Sequence, residues 1–392
     1  MKKNRLLLID GNSIINRAFF ALPPMDNGQG LHTNAIYGFL TMLFKMIKNY
    51  EPSHISVAFD MKAPTFRHKS YTEYKAGRKK MPGELAMQLQ PLKDVLDKMN
   101  IDRQEIEGYE ADDILGTLSL DAEKEGYEVY IVTGDRDAIQ LASENTRVLI
   151  TKKGVGEVEE YDAKAVMERY SLTPDQFIDL KGLMGDKSDN IPGIPGIGEK
   201  TGIKLLLEYK TVQGVLDNVD KLKGAQKKKV EENMESALMS KDLATIFREV
   251  PLDYSLDQMA FGDFSMEDLV KTFQYLKFNS LIARLNDLVG QEDQELDIDI
   301  CQLTDFDGFI DQAKDKGHLY MKIFRAEENI LDKAIYMTYL SLESDKIYRV
   351  HGDDIARLKP ILEAEEIEKI GYEMKADYVA LKPYGIDLRN IA

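Results

Sequence analysis

The stretch Leu6-Leu7-Leu8-Ile9-Asp10 is a short apolar run that ends on a carboxylate. Continuous apolar runs of this length are typical of strands buried on both faces of a parallel sheet. His54–Asp60 and Glu128–Gly134 have the same form. Helical patterns cover Asn34–Asn49, Glu84–Met99 and Glu110–Glu125. The alternation predicts an α/β domain with a mostly parallel central sheet and flanking helices.

The composition narrows the class of protein. The 392 residues suffice for two or three domains, and 43% of them are hydrophobic. One cysteine, Cys301, excludes a disulfide framework and favours a reducing cytoplasm. No apolar stretch approaches the length of a membrane span, so no membrane partner is expected. The formal net charge of −17 argues against a nucleic-acid partner, but Met61–Lys80 is rich in lysine and arginine and contains a single acid, Glu73.

Three aspartates follow the predicted strands directly. Asp10, Asp60 and Asp135 each come at the carboxyl end of an apolar run. In open parallel sheets, ligands bind at that edge. We therefore expect these three side chains to converge, although each of them alone would be an ordinary turn or helix cap.

Three short segments add further acids. Glu110-Ala111-Asp112-Asp113 opens a predicted helix and places Glu110 and Asp113 on one face. Acids also favour a first helical turn for its dipole, which is the plainer interpretation. Asp135-Arg136-Asp137 and the loop Gly185–Asn190 have carboxylates two or three residues apart, for which turn formation is the alternative.

The combination of these acids predicts a metal site. Carboxylates without His or Cys suit Mg²⁺ or Mn²⁺, which prefer oxygen ligands. Two such ions can activate water and stabilise the leaving oxygen of a phosphodiester. The candidate ligands are Asp10, Asp60, Glu110, Asp112, Asp113, Asp135, Asp137, Asp186 and Asp189.

A basic strip follows Asp60. Lys75 and Arg78 are three residues apart and would contact the scissile phosphate, and Tyr71 and Tyr74 would stack on a base. A solvated charged surface is the alternative, which we favour for the neighbouring lysines at 79 and 80.

A glycine-rich turn precedes the predicted helix Lys200–Tyr209. Its exposed backbone N–H groups would hold a phosphate, and it resembles the hairpin of a helix-hairpin-helix element. The candidate DNA-binding residues are Arg67, Tyr74, Gly193, Gly196, Gly198, Lys200 and Thr201.

The order of these motifs resembles the flap endonuclease / 5′–3′ exonuclease family, in the form carried by the bacterial DNA polymerase I family, over residues 1–290. The resemblance implies a PIN/FEN-like catalytic domain over 1–173, with a helical arch around 66–90, and a helical DNA-binding subdomain over 174–289. Lys75 and Arg78 would lie at the base of the arch. The resemblance also assigns two metal clusters. The first contains Asp10, Asp60, Glu110, Asp112 and Asp113, and the second contains Asp135, Asp137, Asp186 and Asp189.

An acidic, apolar-poor segment over 290–299 is predicted to be a linker. Residues 300–392 then resemble the start of an RNase H-like 3′–5′ proofreading domain. The first strand of such a domain would carry two acidic metal ligands, but Lys322 and Phe324 occupy those two positions. Asp377 matches a metal ligand that comes later in the domain. This module is therefore predicted to be truncated and inactive.

The predicted activity is two-metal hydrolysis of DNA phosphodiesters at 5′ ends and 5′ flaps, in primer removal and repair, by a cytoplasmic monomer with Lys75 and Arg78 stabilising the phosphate. One alternative is a non-catalytic DNA-structure-binding module whose acids serve folding. Another is an RNA-processing nuclease on the same fold.

Overall fold

The computed structural model describes residues 4–78, 80–152, 156–285, 299–325, 335–343, 346–372 and 374–391. The chain divides into two compact units, Met1–Gly290 and Gln291–Ala392, and each has its own hydrophobic core. Within the described ranges, no helix combines the length and the apolar character needed to cross a bilayer.

The first unit contains a six-stranded sheet, which confirms the predicted parallel arrangement. The strand order is β3-β2-β1-β4-β5-β6, and all neighbours are parallel except β5 and β6. The short polar strand β3 and the strands β5 and β6 were not predicted. The strands are β1 (Arg5–Asp10), β2 (His54–Ala58), β3 (Asp102–Gln104), β4 (Glu128–Thr133), β5 (Thr146–Thr151) and β6 (Val158–Tyr161).

Both faces of this sheet are covered. Leu6 and Leu8 point into one core, and Leu7 and Ile9 into the other. The first core contains α5, and the second contains α1, α2 and α4, so the apolar run of β1 follows from burial on both sides. These helices and the short α3 are α1 (Gly11–Ala21), α2 (Asn34–Tyr50), α3 (Phe66–Ser70), α4 (Gly83–Lys98) and α5 (Ala111–Lys124).

The helical region after the sheet shares both cores. Leu180 and Leu205 lie in the core that contains α5, and Phe273 packs in the core that contains α2. The predicted boundary at 173/174 therefore does not separate two cores. The helices of this region are α6 (Ala163–Tyr170), α7 (Pro174–Met184), α8 (Glu199–Tyr209), α9 (Val212–Asp217), α10 (Gly224–Glu232), α11 (Met234–Ala244), α12 (Met266–Tyr275) and α13 (Asn279–Leu285).

The segment predicted as an arch around 66–90 has two parts. Residues 66–78 form α3 and a series of turns. From Gly83 onward the chain is α4, and Leu85 and Leu92 of this helix are fully buried in a core. The second part of the predicted arch is therefore a packed helix, because its apolar stripe contacts the core.

The second unit is a mixed α/β module around a five-stranded sheet of order β11-β8-β9-β10-β7. Most of the predicted linker lies outside the described residues, and Asp299 belongs to β7. The sequence pattern predicts a helix over Asp353–Glu365, but the structure has a 3₁₀ segment, Gly352–Leu358, followed by one helical turn. The elements are β7 (Asp299–Gln302), α14 (Phe306–Lys316), β8 (His318–Arg325), β9 (Ile335–Ser341), β10 (Lys346–His351), α15 (Lys359–Leu362), β11 (Glu368–Ile370) and α16 (Met374–Leu381).

Candidate active site

Asp10 joins two neighbouring strands at their carboxyl ends. It caps α1, where its Oδ1 accepts the Ser13 N–H at 2.9 Å. Its Oδ2 accepts the Thr133 hydroxyl, from the end of β4, at 2.8 Å. Burial, and then the negative charge of Asp60, raise the pKa of Asp10 to about 7. The ends of β1 and β4 are thereby held together around a carboxylate that is costly to ionise.

Asp112 has a carboxylate oxygen whose burial is not compensated by a hydrogen bond among the described residues. Its Oδ1 is buried and has no hydrogen-bond partner among the described residues. Burial, and then the charge of Asp10, raise the pKa of Asp112 well above its usual value. Asp60, whose Oδ1 accepts the Ala111 N–H at 2.8 Å, contributes further negative charge. A buried carboxylate oxygen facing other acids fits a bound cation, because a cation would supply the missing partner and relieve the repulsion.

Two predicted phosphate-binding cations lie against the acids. Lys75 Nζ donates to Glu110 Oε1 at 2.7 Å and lies 3.8 Å from Asp189 Oδ2. Arg78 donates to Asp189 Oδ1 and is half exposed. Burial alone would lower the pKa of Lys75, but Glu110 and Asp189 raise it, so Lys75 stays charged. The Lys75 N–H also donates to the Asp189 carbonyl at 2.8 Å, which joins this loop to the loop of Asp189.

Lys181 is a functional residue that the sequence reasoning missed. It lies in the last turn of α7, and its ammonium bridges Asp137, at 2.5 Å, and Asp186. Burial, and then Asp135, raise the pKa of Asp137 to about 7. Burial would raise the pKa of Asp186, but Lys181 and Ser188 lower it. A lysine five residues before an acidic loop was the signal available in the sequence.

Asp113 differs from the other predicted ligands in its hydrogen bonding, and its role as a metal ligand stays a prediction. Both of its oxygens accept from the Arg67 guanidinium, at 2.7 and 2.8 Å. They also accept the backbone N–H groups of Glu110 and Phe247, at 3.0 and 2.8 Å. The side chain is fully buried, so its lone pairs are satisfied within the protein.

Arg67 and Tyr74 were predicted to contact DNA, and the structure places both inside the protein. Arg67 is 3% exposed and is bonded to Asp113 and to the Leu243 carbonyl. The Tyr74 side chain is 4% exposed, and its hydroxyl donates to Glu110 at 3.1 Å and lies 3.4 Å from Asp189. Neither side chain presents a surface on which a base could stack, because core packing has buried them.

Gly193 is also structural. Its N–H donates to Ser240 Oγ at 2.9 Å, and its carbonyl accepts from Ser236 at 2.8 Å. Its φ is +59°, and a Cβ here would come 2.2 Å from the Gly185 nitrogen. The backbone groups of Gly193 are therefore not available to a phosphate.

Three of the other predicted hairpin residues, Gly196, Lys200 and Thr201, line an open groove of about 710 Å³. The fourth, Gly198, is the N-cap of α8. We call the open groove the lysine groove. Its lysines, most of which were not singled out from the sequence, are Lys200, Lys204, Lys221, Lys223 and Lys229.

The structure brings the remaining predicted ligands together at one sheet edge and the loops beside it. Five of them, Glu110, Asp112, Asp135, Asp137 and Asp189, line a single small cavity. Asp10 and Asp60 interact electrostatically with Asp112, and Asp186 joins Asp137 through Lys181. We call these eight carboxylates, without Asp113, the acid cluster.

Lysine and arginine side chains form ion pairs with carboxylates of the acid cluster. Among the residues with described positions, no three His, Cys, Asp or Glu side chains are arranged so that they could together hold a metal ion. Lys75, Arg78 and Lys181 each form ion pairs with carboxylates of the cluster. The donor chemistry and the unpartnered Asp112 oxygen fit divalent cations, and binding requires carboxylates to exchange ammonium partners for the ion.

Two family models match most of the first unit of the chain. Residues 5–171 match the 5′–3′ exonuclease N-terminal resolvase-like domain, and residues 172–267 match the 5′–3′ exonuclease C-terminal SAM fold. The DNA polymerase I of Bacillus caldotenax is 43% identical over 393 residues, which are 100% of this chain and 44% of that protein. The DNA polymerase I of Bacillus subtilis (strain 168) is 42% identical over 402 residues, 99% of this chain and 44% of that protein. The chain thus spans less than half the length of these relatives.

Solved structures show the same fold. The T5 5′-exonuclease with bound zinc has a TM-score of 0.52 at 24% identity, over 62% of this chain and 90% of its own. The T5 D15 protein co-crystallised with metal ions has a TM-score of 0.51 at 21% identity, over 73% of this chain and 98% of its own. The T5 structures show the fold alone, whereas the two domain matches and the two DNA polymerase I relatives show that the chain belongs to the 5′–3′ exonuclease family.

Proposed function

We propose that this chain is a divalent-metal-dependent 5′ nuclease that hydrolyses DNA phosphodiesters at 5′ ends and 5′ flaps, in primer removal and repair. The observation that carries the proposal is the unpartnered, buried Asp112 oxygen inside the acid cluster. The T5 relatives described above contain metal ions, which supports metal dependence here.

We propose that the metal is Mg²⁺ or Mn²⁺ and that two ions bind. Eight carboxylates provide oxygen ligands for two ions, with no nitrogen or sulfur ligand that would favour a softer metal. When bound, such ions lower the pKa of water and neutralise charge on the phosphate. Asp10, Asp60 and Asp112 would hold one position, while Asp137 and Asp186 would hold the other after releasing Lys181.

The chain's own residues position the phosphate. Arg78 is half exposed and can turn from Asp189 to a phosphate oxygen, while Lys75 stays beside Glu110. In the reaction a water oxygen bonds to phosphorus and one ester P–O bond breaks. One proton passes to the leaving oxygen and the other to solvent. The two cations stabilise the negative charge that develops on the phosphoryl oxygens.

The lysine groove would hold the duplex part of the substrate. Its lysines and the backbone N–H groups at the start of α8 would form a positive surface on a chain of net negative charge. We further propose that the protein acts as a cytoplasmic monomer.

One assay tests the proposal. A 5′-labelled flap duplex is incubated with the chain, with and without Mg²⁺, beside the Asp112→Asn variant. We expect cleavage that requires both the metal and Asp112. DNA binding without cleavage under every metal condition would instead support the non-catalytic module. Replacing the flap strand by RNA distinguishes a DNA nuclease from an RNA-processing one.

A further inference from the structure

Arg136 lies between two members of the acid cluster, yet its side chain bonds to another part of the fold. It begins a 3₁₀ segment, Arg136–Leu141, and the flanking Asp135 and Asp137 line the small cavity of the cluster. The Asp135 side chain caps this segment and accepts the Asp137 N–H at 2.8 Å. The backbone at Arg136 therefore sets the positions of two carboxylates that are predicted metal ligands.

The Arg136 guanidinium has three acceptors at the edge of the first sheet and on the helix that follows it. Its Nη1 donates to Tyr170 Oη at 2.9 Å and to Tyr161 Oη at 3.3 Å. Its Nη2 donates to Glu159 at 3.2 Å. Tyr161 ends β6 and Tyr170 ends α6. Because the donors of a guanidinium form a rigid planar fork, these bonds fix the orientation of the Arg136 side chain.

The two tyrosines are held firmly themselves. Tyr161 and Tyr170 are 2% and 8% exposed, and their rings stack with centroids 6.5 Å apart. The Arg169 guanidinium lies over both rings, 5.7 and 5.5 Å from their centroids, and also pairs with Glu159. Since both rings belong to the core that contains α5, their hydroxyls give Arg136 fixed points of attachment.

We propose that Arg136 is a positioning residue for divalent metal, which holds the backbone between Asp135 and Asp137 so that their carboxylates are placed to bind the ion. This inference rests on the proposed nuclease function. Metal ligands must be placed to within about 0.2 Å, and groups that orient them commonly contribute about 10- to 100-fold to metal affinity. Lys181 pairs with Asp137 directly, whereas Arg136 acts through the backbone.

A role of Arg136 through its charge alone would have the opposite sign. Removing a positive charge beside eight carboxylates would strengthen their attraction for a divalent cation. Losing the attachment of the backbone would weaken metal binding, because the two carboxylates would no longer be held in place. The direction of the change in metal affinity therefore distinguishes the two roles.

Direct Mn²⁺ binding measures this role without DNA and without cleavage. Mn²⁺ is titrated into the chain, and the free ion is quantified by its electron paramagnetic resonance signal. The variants are Arg136→Gln, Arg136→Lys and Tyr170→Phe, the last of which removes one acceptor without a change of charge. The matched control is Arg169→Gln, because Arg169 contacts the same rings and the same Glu159 but lies on α6, away from the two acids in the sequence.

We expect Arg136→Gln to bind Mn²⁺ about tenfold more weakly than the unmodified chain. Arg136→Lys should recover only part of the affinity, because a compact ammonium lacks the planar fork. Tyr170→Phe should weaken binding by less, since two acceptors remain. Combining it with Arg136→Gln should add nothing further, because the two side chains act as one unit. Arg169→Gln should bind Mn²⁺ at least as tightly as the unmodified chain.

Thermal unfolding of each variant without metal separates positioning from general stability. Unchanged or tighter Mn²⁺ binding by Arg136→Gln would overturn the assignment. Equal losses of Mn²⁺ affinity and of thermal midpoint in Arg136→Gln and Arg169→Gln would also overturn it, because the arginines would then only stabilise the fold. If the expected differences in Mn²⁺ affinity appear but no flap duplex is cut, the nuclease proposal fails and the Arg136 assignment stands.

Discussion

Arg67 and Asp113 form an ion pair with two hydrogen bonds, of 2.7 and 2.8 Å, and the two side chains are 3% and 0% exposed. The pair connects α3 to the first turn of α5, and Arg67 also bonds the Leu243 and Thr245 carbonyls. The ion pair therefore fixes the start of α5, where Glu110, a member of the acid cluster, caps the helix.

Replacing Asp113 by Asn should destabilise the chain. A buried charge that loses its partner costs about 3–5 kcal/mol. Urea unfolding measures the change, with Glu267→Gln as control, because the Glu267–Lys271 pair is exposed and contributes about 0–1 kcal/mol. An Asp113→Asn variant of normal stability that no longer responds to Mg²⁺ would restore Asp113 as a metal ligand.

Replacing Asp112 by Asn should raise stability in EDTA, since one buried negative charge is removed from the acid cluster. The same variant should lose most of the stabilisation that Mg²⁺ gives the unmodified chain, which mass action sets at about 2.7 kcal/mol for an ion at 100 times its Kd. Thermal unfolding with and without Mg²⁺ provides the measurement, and the exposed Asp217→Asn is the control. Equal responses of Asp112→Asn and the unmodified chain to Mg²⁺ would argue against a metal at Asp112.

Lys75→Ala and Arg78→Ala should each slow the chemical step by about 10²–10³-fold, because each removes charge stabilisation from the transition state. Single-turnover rates at saturating enzyme isolate that step from binding. Lys62→Ala, an exposed change on the same basic strip, should leave the rate unchanged. If only the affinity falls, the two residues are ordinary phosphate contacts.

Gly193→Ala should misplace the loop that carries Asp186 and Asp189. The left-handed φ of +59° and the 2.2 Å approach to the Gly185 nitrogen exclude a side chain without movement of the backbone. We expect a loss of stability of about 1–3 kcal/mol and reduced cleavage, measured by thermal unfolding and the flap assay. Gly83→Ala is the matched control, since no atom lies within 4 Å of its Cβ position and its φ is not left-handed. Equal behaviour of the two variants would contradict this account.

The second unit should not degrade DNA from a 3′ end. The resemblance to a 3′–5′ proofreading domain predicts that Lys322 stands where a carboxylate ligand would be needed, and its ammonium donates to the Tyr372 carbonyl at 2.8 Å. A cation in that place repels the ions that two-metal hydrolysis requires. A duplex labelled at a recessed 3′ end should remain intact with the full chain and Mg²⁺. Digestion that disappears in Asp377→Ala would show that this unit is active.

The sequence by itself determined the strand–helix alternation of the first sheet and the convergence of its aspartates. Leu6–Ile9 are apolar without interruption because both sheet faces are covered. Parallel strands end at one edge, so Asp10, Asp60 and Asp135 had to meet there. These features can be predicted from the sequence because they depend on consecutive residues: burial makes the strand residues apolar, and strand direction sets the edge at which the next residue lies.

Only the tertiary structure decided which polar residues face the site and which support it. Asp112 and Asp113 are adjacent in the sequence, yet the first has an unpartnered oxygen and the second is fully bonded to Arg67. Tyr74 is buried rather than available for stacking, and Lys181 bridges the nearby Asp186 to Asp137, which is distant in the sequence. These outcomes depend on side chains brought together from far apart in the chain, and a local pattern does not record which distant group completes a hydrogen bond.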